Sequence, residues 1–114
     1  TKSFKVAFKP LLKKYPSLSK DLLQLEKDLM NNPKLGTPLG HSAYKIRLKI
    51  SSKGKGKSGG ARVISLVEST IIGFAEFNQD NELTVNLITI YDKSEIASIS
   101  DKELKDLIKN MISE

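Results

Sequence analysis

Two strand-like runs, Tyr44–Ile50 and Ala61–Val67, flank a loop made almost entirely of lysine, glycine and serine. In the first run, apolar and cationic residues alternate strictly. Because successive side chains of a strand point to opposite faces, this alternation predicts a half-buried strand. Its apolar face comprises Tyr44, Ile46, Leu48 and Ile50, and its exposed face comprises Lys45, Arg47 and Lys49. The segment therefore predicts a hairpin that presents positive charge on one face of a sheet.

No acid balances the cations of this hairpin. Between Asp28 and Glu68 the chain carries eight lysine or arginine residues and no aspartate or glutamate. The strand cations are Lys45, Arg47, Lys49 and Arg62, and the loop cations are Lys53, Lys55 and Lys57. On adjacent strands near one loop their charges add, which predicts a patch that grips a phosphate backbone. An ordinary solvated strand face and a flexible, solvated basic loop are the alternative interpretations.

The whole chain shares this positive bias. Its formal net charge of +6 and isoelectric point near 9.5 favour anionic partners, with nucleic acid first, an acidic protein second and an anionic membrane surface third. No apolar run is long enough to span a bilayer, and the first residues lack the apolar stretch of a signal peptide. We therefore expect no membrane partner, and a cytoplasmic location.

The chain contains no cysteine and one histidine, His41. Disulfides and thiolate chemistry are excluded, and a single histidine cannot build a metal cluster by itself. We therefore expect no cofactor or metal. Catalysis would have to use Lys, Arg, Tyr, carboxylates or hydroxyls, unless His41 acts alone.

The N-terminal third predicts helices. Alternating Phe4, Val6 and Phe8 suggest a short edge strand, followed by a brief helix that begins at Pro10 and ends at Pro16. Ser19–Met30 has helical apolar spacing and ends at Asn31-Asn32-Pro33. The glycine- and proline-containing segment Lys34–Ser42 predicts a loop.

The C-terminal half reverses the charge, with five acids and no base from Glu68 to Asp92. Asn78–Asn81 predicts a turn, and the β-branched run Leu83–Tyr91 predicts a central strand. Ser100 and Glu103 form a capping box before a last amphipathic helix. The prediction for residues 1–114 is a single α+β domain: N-terminal helices and a C-terminal helix packed with an antiparallel sheet of three to four strands.

Two nucleotide-binding motifs match the residues of the loop but not the structural context that these motifs require. Gly54–Gly59 fits G-x-G-x-x-G, and Gly56-Lys57-Ser58 fits the end of a P-loop, whose first glycine is replaced by Ser51. Both motifs need a helix directly after the glycines, and here a strand-like run follows. We reject a nucleotide site on this loop.

Tyr91, at the end of an apolar strand, could stack on a base or pack in the core.

Five sequence blocks, spread in order over most of the chain, carry a resemblance to a known family. They are YPSL at 15–18, GTPLG at 36–40, YKIRLKI at 44–50, GKGKSGGARVI at 54–64 and TIYDKSEIASISDKEL at 89–104. In these blocks the chain resembles the RelE/ParE superfamily of type II toxin–antitoxin toxins, in its HigB/RelE-like branch. The resemblance implies a microRNase-like fold, with helices on one side of a twisted antiparallel sheet.

The resemblance also implies an activity and partners. The activity is cleavage of mRNA in the ribosomal A site by an endoribonuclease toxin, and the partners are a cognate antitoxin, mRNA on the ribosome, and ribosomal RNA. Lys45 and Arg47 match two catalytic basic positions of the family, and Arg62 matches its phosphate-gripping arginine. Lys93 falls near a further catalytic arginine. The family carries a catalytic tyrosine near the C-terminus. The last tyrosine here, Tyr91, lies earlier than that position and is the candidate catalytic substitute.

The implied chemistry is attack of a ribose 2′-hydroxyl on the adjacent phosphodiester, with clustered cations stabilising charge on the phosphoryl oxygens. A lysine crowded by other cations has its charged form disfavoured and could act as the general base. Two other functions remain open. One is a ParE-like, non-enzymatic gyrase inhibitor, and the other is a basic RNA-binding module derived from a toxin.

Overall fold

The computed structural model describes residues 1–53, 59–74, 79–96 and 98–114, and within them the chain folds as an α+β domain. The helices are α1 (Lys2–Lys14), α2 (Leu18–Asn31) and α3 (Asp101–Ile112). The strands are β1 (Thr37–Gly40), β2 (Ala43–Leu48), β3 (Ala61–Phe74) and β4 (Gln79–Asp92), and a 3₁₀ turn covers Ser51–Lys53. The predicted fold class, with helices at both ends and a four-stranded antiparallel sheet, is confirmed.

The strands follow one another in the sheet in chain order, β1-β2-β3-β4, and every neighbouring pair is antiparallel. β3 is therefore central, and its first seven residues, 61–67, are buried on both faces. The prediction that Leu83–Tyr91 forms a central strand is wrong, because β4 lies at the edge. Beyond residue 67, β3 and β4 continue as a two-stranded ribbon in the described part of the chain.

Each face of the sheet has its own apolar cluster. Residues of α1 and α2, including Leu11 and Leu25, pack with Ile46 and Val63 on one face. Leu104 of α3 packs with Ile64 and other residues on the opposite face. The helices therefore cover both faces, not the single side that the family resemblance implies.

A β-bulge in β4 changes which side chains point to each face. Ile64 pairs with Thr89 and Ser65 pairs with Leu87, so Ile88 is an extra residue between the two pairs. Odd-numbered residues before the bulge, such as Leu87, pack towards α2, whereas Tyr91 after it packs towards α3. The bulge therefore decides that Tyr91 shares a face with the arginines of β2 and β3.

The N-terminal prediction of a strand followed by a helix from Pro10 is wrong. One helix runs from Lys2 to Lys14 with Pro10 inside it, and the Thr1 hydroxyl caps it by accepting the Phe4 N–H at 3.1 Å. The rings of Phe4 and Phe8 stack at 5.5 Å, and Val6 is 74% exposed. The spacing of four residues between the two rings, not the alternation through Val6, determines this element.

Some of the other predicted element boundaries are confirmed, and others are wrong. α2 ends at Asn31 as predicted, and the Ser100 hydroxyl accepts the Glu103 N–H at 3.1 Å at the start of α3. The predicted loop Lys34–Ser42 contains β1, which pairs with β2. Of the predicted turn Asn78–Asn81, Gln79–Asn81 belong to β4, and Asn78 lies outside the described residues.

A buried carboxylate ties the exit of β2 to α2. Asp21 accepts the Ser51 N–H and the Ser17 hydroxyl, each at 3.0 Å, and also the Ser51 hydroxyl. The start of α2 is thereby joined to the 3₁₀ turn, and the turn leads to the lysine-glycine loop. Among the described helices, none has the length and apolar character needed to cross a membrane.

Candidate nucleic-acid interface

Three of the predicted site residues lie side by side across three strands. Arg47 of β2 faces Arg62 of β3, and Arg62 faces Tyr91 of β4. Lys45 lies two residues before Arg47, opposite Ile64, and shares the same face of the sheet. We call Lys45, Arg47, Arg62 and Tyr91 the cationic row. The sheet register brings together residues that are distant in sequence.

Burial differs along the cationic row. Arg47 is exposed and Lys45 is half-buried, whereas Arg62 is 5% and Tyr91 6% exposed. Arg62 lies in the central strand, and its Nη1 donates to the Ala61 carbonyl at 3.1 Å. The arrangement is therefore not the uniform surface patch expected from the sequence. One arginine is open to solvent and a second lies buried beside it.

The two arginines form a like-charge pair. Side chains directly opposite on antiparallel strands have Cβ atoms about 4.5–5.5 Å apart, and like charges at such positions are unfavourable. Arg47 and Arg62 occupy this relation. Arg47 is exposed, so its guanidinium is the member of the pair that a phosphate could contact.

Tyr91 is held as a neutral hydrogen-bonding group. Burial raises the pKa of the Tyr91 hydroxyl, and the nearby positive charge of Arg62 lowers it by a smaller amount. Its hydroxyl has no hydrogen-bond partner within the described part of the chain. Near neutral pH this group therefore keeps its proton and suits a donor better than a base. At 6% exposure its ring does not present a stacking surface for a nucleobase.

The next residue, Asp92, organises a buried cluster that was not predicted from the sequence. It is 1% exposed. Its Oδ2 accepts the Tyr15 hydroxyl at 2.8 Å, and its Oδ1 accepts Lys53 Nζ at 3.0 Å and the Ser94 hydroxyl at 2.8 Å. Burial by itself would raise the pKa of the Asp92 carboxyl. The hydrogen bonds from Ser94, Lys53 and Tyr15 outweigh it and hold that pKa well below its usual range.

This cluster holds both ends of the lysine-glycine loop. Lys53 Nζ donates to the Gly59 carbonyl at 3.1 Å and lies 5.3 Å from the centre of the Tyr15 ring. The Lys93 N–H donates to the Gly60 carbonyl at 3.1 Å. The hydrogen bond to Asp92 raises the pKa of Lys53, although partial burial opposes this. Lys53 was predicted to bind RNA, but its charge is directed at Asp92.

The remaining predicted residues, three for RNA binding and Lys93 for catalysis, are distributed differently. Lys49, just beyond β2, and Lys93, in the turn after β4, are exposed. Lys55 and Lys57 lie outside the described residues. Lys49 and Lys93 thus lie near the ends of β2 and β4, outside the cationic row.

A local signal for the Asp92 cluster was present in the sequence. Asp92 ends an apolar strand, and Ser94 follows two residues later, a spacing typical of a side chain that caps its own turn. The Ser94 N–H does donate to Asp92 Oδ1 at 3.0 Å. The contacts with Tyr15 and Lys53 had no such local signal, because both residues come from distant parts of the chain.

No family model matches this chain, and no solved structure matches it. Among the described residues, no three His, Cys, Asp or Glu side chains come together in a group that could hold a metal ion. The functional argument therefore depends on the residues of the site.

Proposed function

We propose that this chain is a ribosome-dependent mRNA endoribonuclease with a RelE-like fold, acting in the cytoplasm as the toxin of a type II toxin–antitoxin pair. The observation that supports it most is the register of the cationic row. Arg47, Arg62 and Tyr91 are direct neighbours on three strands, and Lys45 lies one pair away on the same face. A cognate antitoxin and the translating ribosome are the proposed partners.

In this proposal the arginines stabilise charge. The ribose 2′-oxygen forms a bond to phosphorus, the bond from phosphorus to the 5′-oxygen breaks, and negative charge grows on the phosphoryl oxygens. Exposed Arg47 contacts those oxygens, and buried Arg62 adds its positive field from the adjacent strand.

The proton transfers use the other two members of the row. Lys45 is half-buried beside the arginines and is the candidate to accept the 2′-hydroxyl proton. The Tyr91 hydroxyl, which carries its proton near neutral pH, is the candidate donor to the leaving 5′-oxygen. Reaching that oxygen requires the Tyr91 side chain to become more exposed on the ribosome.

A second candidate is a module that binds RNA without cutting it. The low exposure of Arg62 and Tyr91 favours it, since both groups must approach the reacting phosphate in the nuclease. In this function Arg47, Lys45 and Lys49 hold the phosphate backbone and no proton is transferred.

The deciding experiment adds the purified chain to translating ribosomes and maps mRNA ends by primer extension. We expect cleavage in the A site, reduced by about 100-fold or more in Lys45→Ala and Arg47→Ala. Lys27→Ala is the matched control, because Lys27 is an exposed lysine on α2, outside the cationic row. It should leave cleavage unchanged.

Two results would reject the nuclease. Intact mRNA, together with RNA affinity that depends on Arg47, would support the binding module. Intact mRNA with inhibition of DNA supercoiling by gyrase would support a ParE-like inhibitor instead.

A further inference from the structure

The edge of the sheet formed by β4 is covered along only part of its length. The Thr1 hydroxyl donates to the Leu87 carbonyl at 3.0 Å, and at the far end the Tyr15 hydroxyl reaches Asp92. α1 therefore lies along β4 from Leu87 to Asp92. Before Leu87, β4 has no neighbouring strand on its outer side in the described part of the sheet.

Two hydrogen bonds establish which backbone groups face outward on this edge. The Val67 N–H donates to the Ser42 carbonyl at 2.9 Å, so the backbone groups of Val67 point away from β4. Val85, the partner of Val67 in the register, is then in a non-hydrogen-bonded pair, and its own N–H and C=O point outward. The same alternation directs the backbone of Leu87 outward, which agrees with its contact with Thr1. Leu83 follows the same pattern.

The outward-facing residues also line an apolar groove. The side chains of Leu83, Val85 and Leu87 form a groove of about 470 Å³ with α2 and the loop that follows it, where Met30 and Pro33 contribute. Met30 is 85% and Leu83 45% exposed. A strand added to this edge would direct every second side chain over the groove.

The charge around the groove determines what kind of segment fits. Glu26 lines the groove, and Glu82 is exposed next to Leu83. The sequence from Glu68 to Asp92 has five acids and no base. A second copy that paired through the same edge would bring a second Glu26 and a second Glu82 to this place, and like charges that meet across strands are unfavourable. An incoming segment with lysine or arginine between apolar residues is complementary to both the charge and the groove.

We propose that the outer edge of β4 at residues 83–86, together with the groove beside α2, docks an extended basic and apolar segment of a partner protein as a fifth strand. Main-chain hydrogen bonds to Leu83 and Val85 would provide binding, and the groove would select apolar side chains at alternate positions. This surface lies on the face of the sheet opposite the cationic row, and its test does not depend on RNA.

The test uses two short synthetic peptides, one of alternating valine and lysine and one of alternating valine and glutamate. Binding to the whole chain is measured by fluorescence anisotropy, and exchange of the Val85 amide by NMR. We expect the lysine peptide to bind at least about tenfold more tightly than the glutamate peptide and to slow exchange at Val85. Equal binding of both peptides, or unchanged exchange at Val85, would overturn the proposal.

Variants distinguish peptide binding at the β4 edge from nonspecific binding. Val85→Pro removes an outward N–H that the sheet does not use, and Leu83→Ser removes an apolar group from the groove. Both should weaken binding of the lysine peptide about tenfold, whereas Leu23→Ser, at an exposed leucine of α2 outside the groove, should not. If Val85→Pro does not fold, Leu83→Ser decides. Protection of Val85 in the free chain, with dimers in sedimentation, would identify a second copy as the occupant and overturn the proposal.

Discussion

The strand β3 carries two regions of opposite character. Its first half lies between β2 and β4, where Arg62 adjoins Arg47 and Tyr91. Its second half, from Glu68, belongs to the ribbon whose sequence is acidic. Arg62 and Glu68 are about 20 Å apart along an extended strand, which exceeds the screening length of about 8 Å at physiological salt. One strand can therefore present two surfaces that attract opposite charges and act independently.

The acidic segment contains both a buried acid and an exposed acid. Asp92 ends β4 inside a cluster of donors, whereas Glu82 is exposed on the ribbon. We expect Asp92→Ala to lower the free energy of unfolding by about 3 kcal/mol, because it leaves Lys53 and Tyr15 without their common acceptor. Urea denaturation measures the change. Glu82→Ala is the control and should stay within about 0.5 kcal/mol. If the two variants lost equal stability, the distinction between the two acids would be lost.

The lowered pKa of the Asp92 carboxyl predicts that the free energy of unfolding depends on pH. The pKa of Asp92 in the folded chain lies below its unfolded value of about 3.9, so its stabilising contribution is complete above that pH. The contribution is lost as pH falls towards the folded pKa. Between about pH 5 and about pH 2.5, the wild-type chain should lose more stability than Asp92→Asn. Urea midpoints at both pH values test this, and parallel losses in the two proteins would contradict it.

In the cationic region, Arg47→Ala should change RNA affinity much more than it changes the free energy of unfolding. Because Arg47 is exposed, removing it should change the free energy of unfolding by less than about 0.5 kcal/mol in the absence of RNA. The same change should weaken binding to single-stranded RNA and reduce the slope of log affinity against log salt by about one. Denaturation and a salt titration of RNA binding measure the two effects. A destabilised variant with unchanged RNA affinity would mean that Arg47 serves the fold.

The smallest expected effects lie on the ribbon. Leu83→Ser and Glu82→Gln should each change the free energy of unfolding by less than about 0.5 kcal/mol, because both side chains are exposed in the folded chain. Neither should alter RNA affinity by more than about twofold, since the ribbon lies beyond the screening length from Arg47. A large gain in RNA affinity for Glu82→Gln would show that the two surfaces are coupled.

Local sequence patterns were sufficient where neighbours along the chain decide the structure. The end of α2 at Asn31 and the cap of α3 at Ser100 follow from residues within one or two helical turns. The alternation in β2 correctly identified Ile46 and Leu48 as buried and Arg47 as exposed. The same local reasoning was wrong for α1, because the alternation through Val6 and the spacing of Phe4 and Phe8 both occur in one short segment.

The candidate site depends more on tertiary structure. The sequence by itself determined the fold class, the basic hairpin and the identities of the cations, because periodicity and charge are properties of the chain. Only the tertiary structure decided that Arg62 is buried in a central strand, that the bulge at Ile88 turns Tyr91 to the same face, and that Lys53 binds Asp92. The physical reason is that burial, facing and ion pairing depend on strand order and register, which are set by contacts between segments distant in sequence.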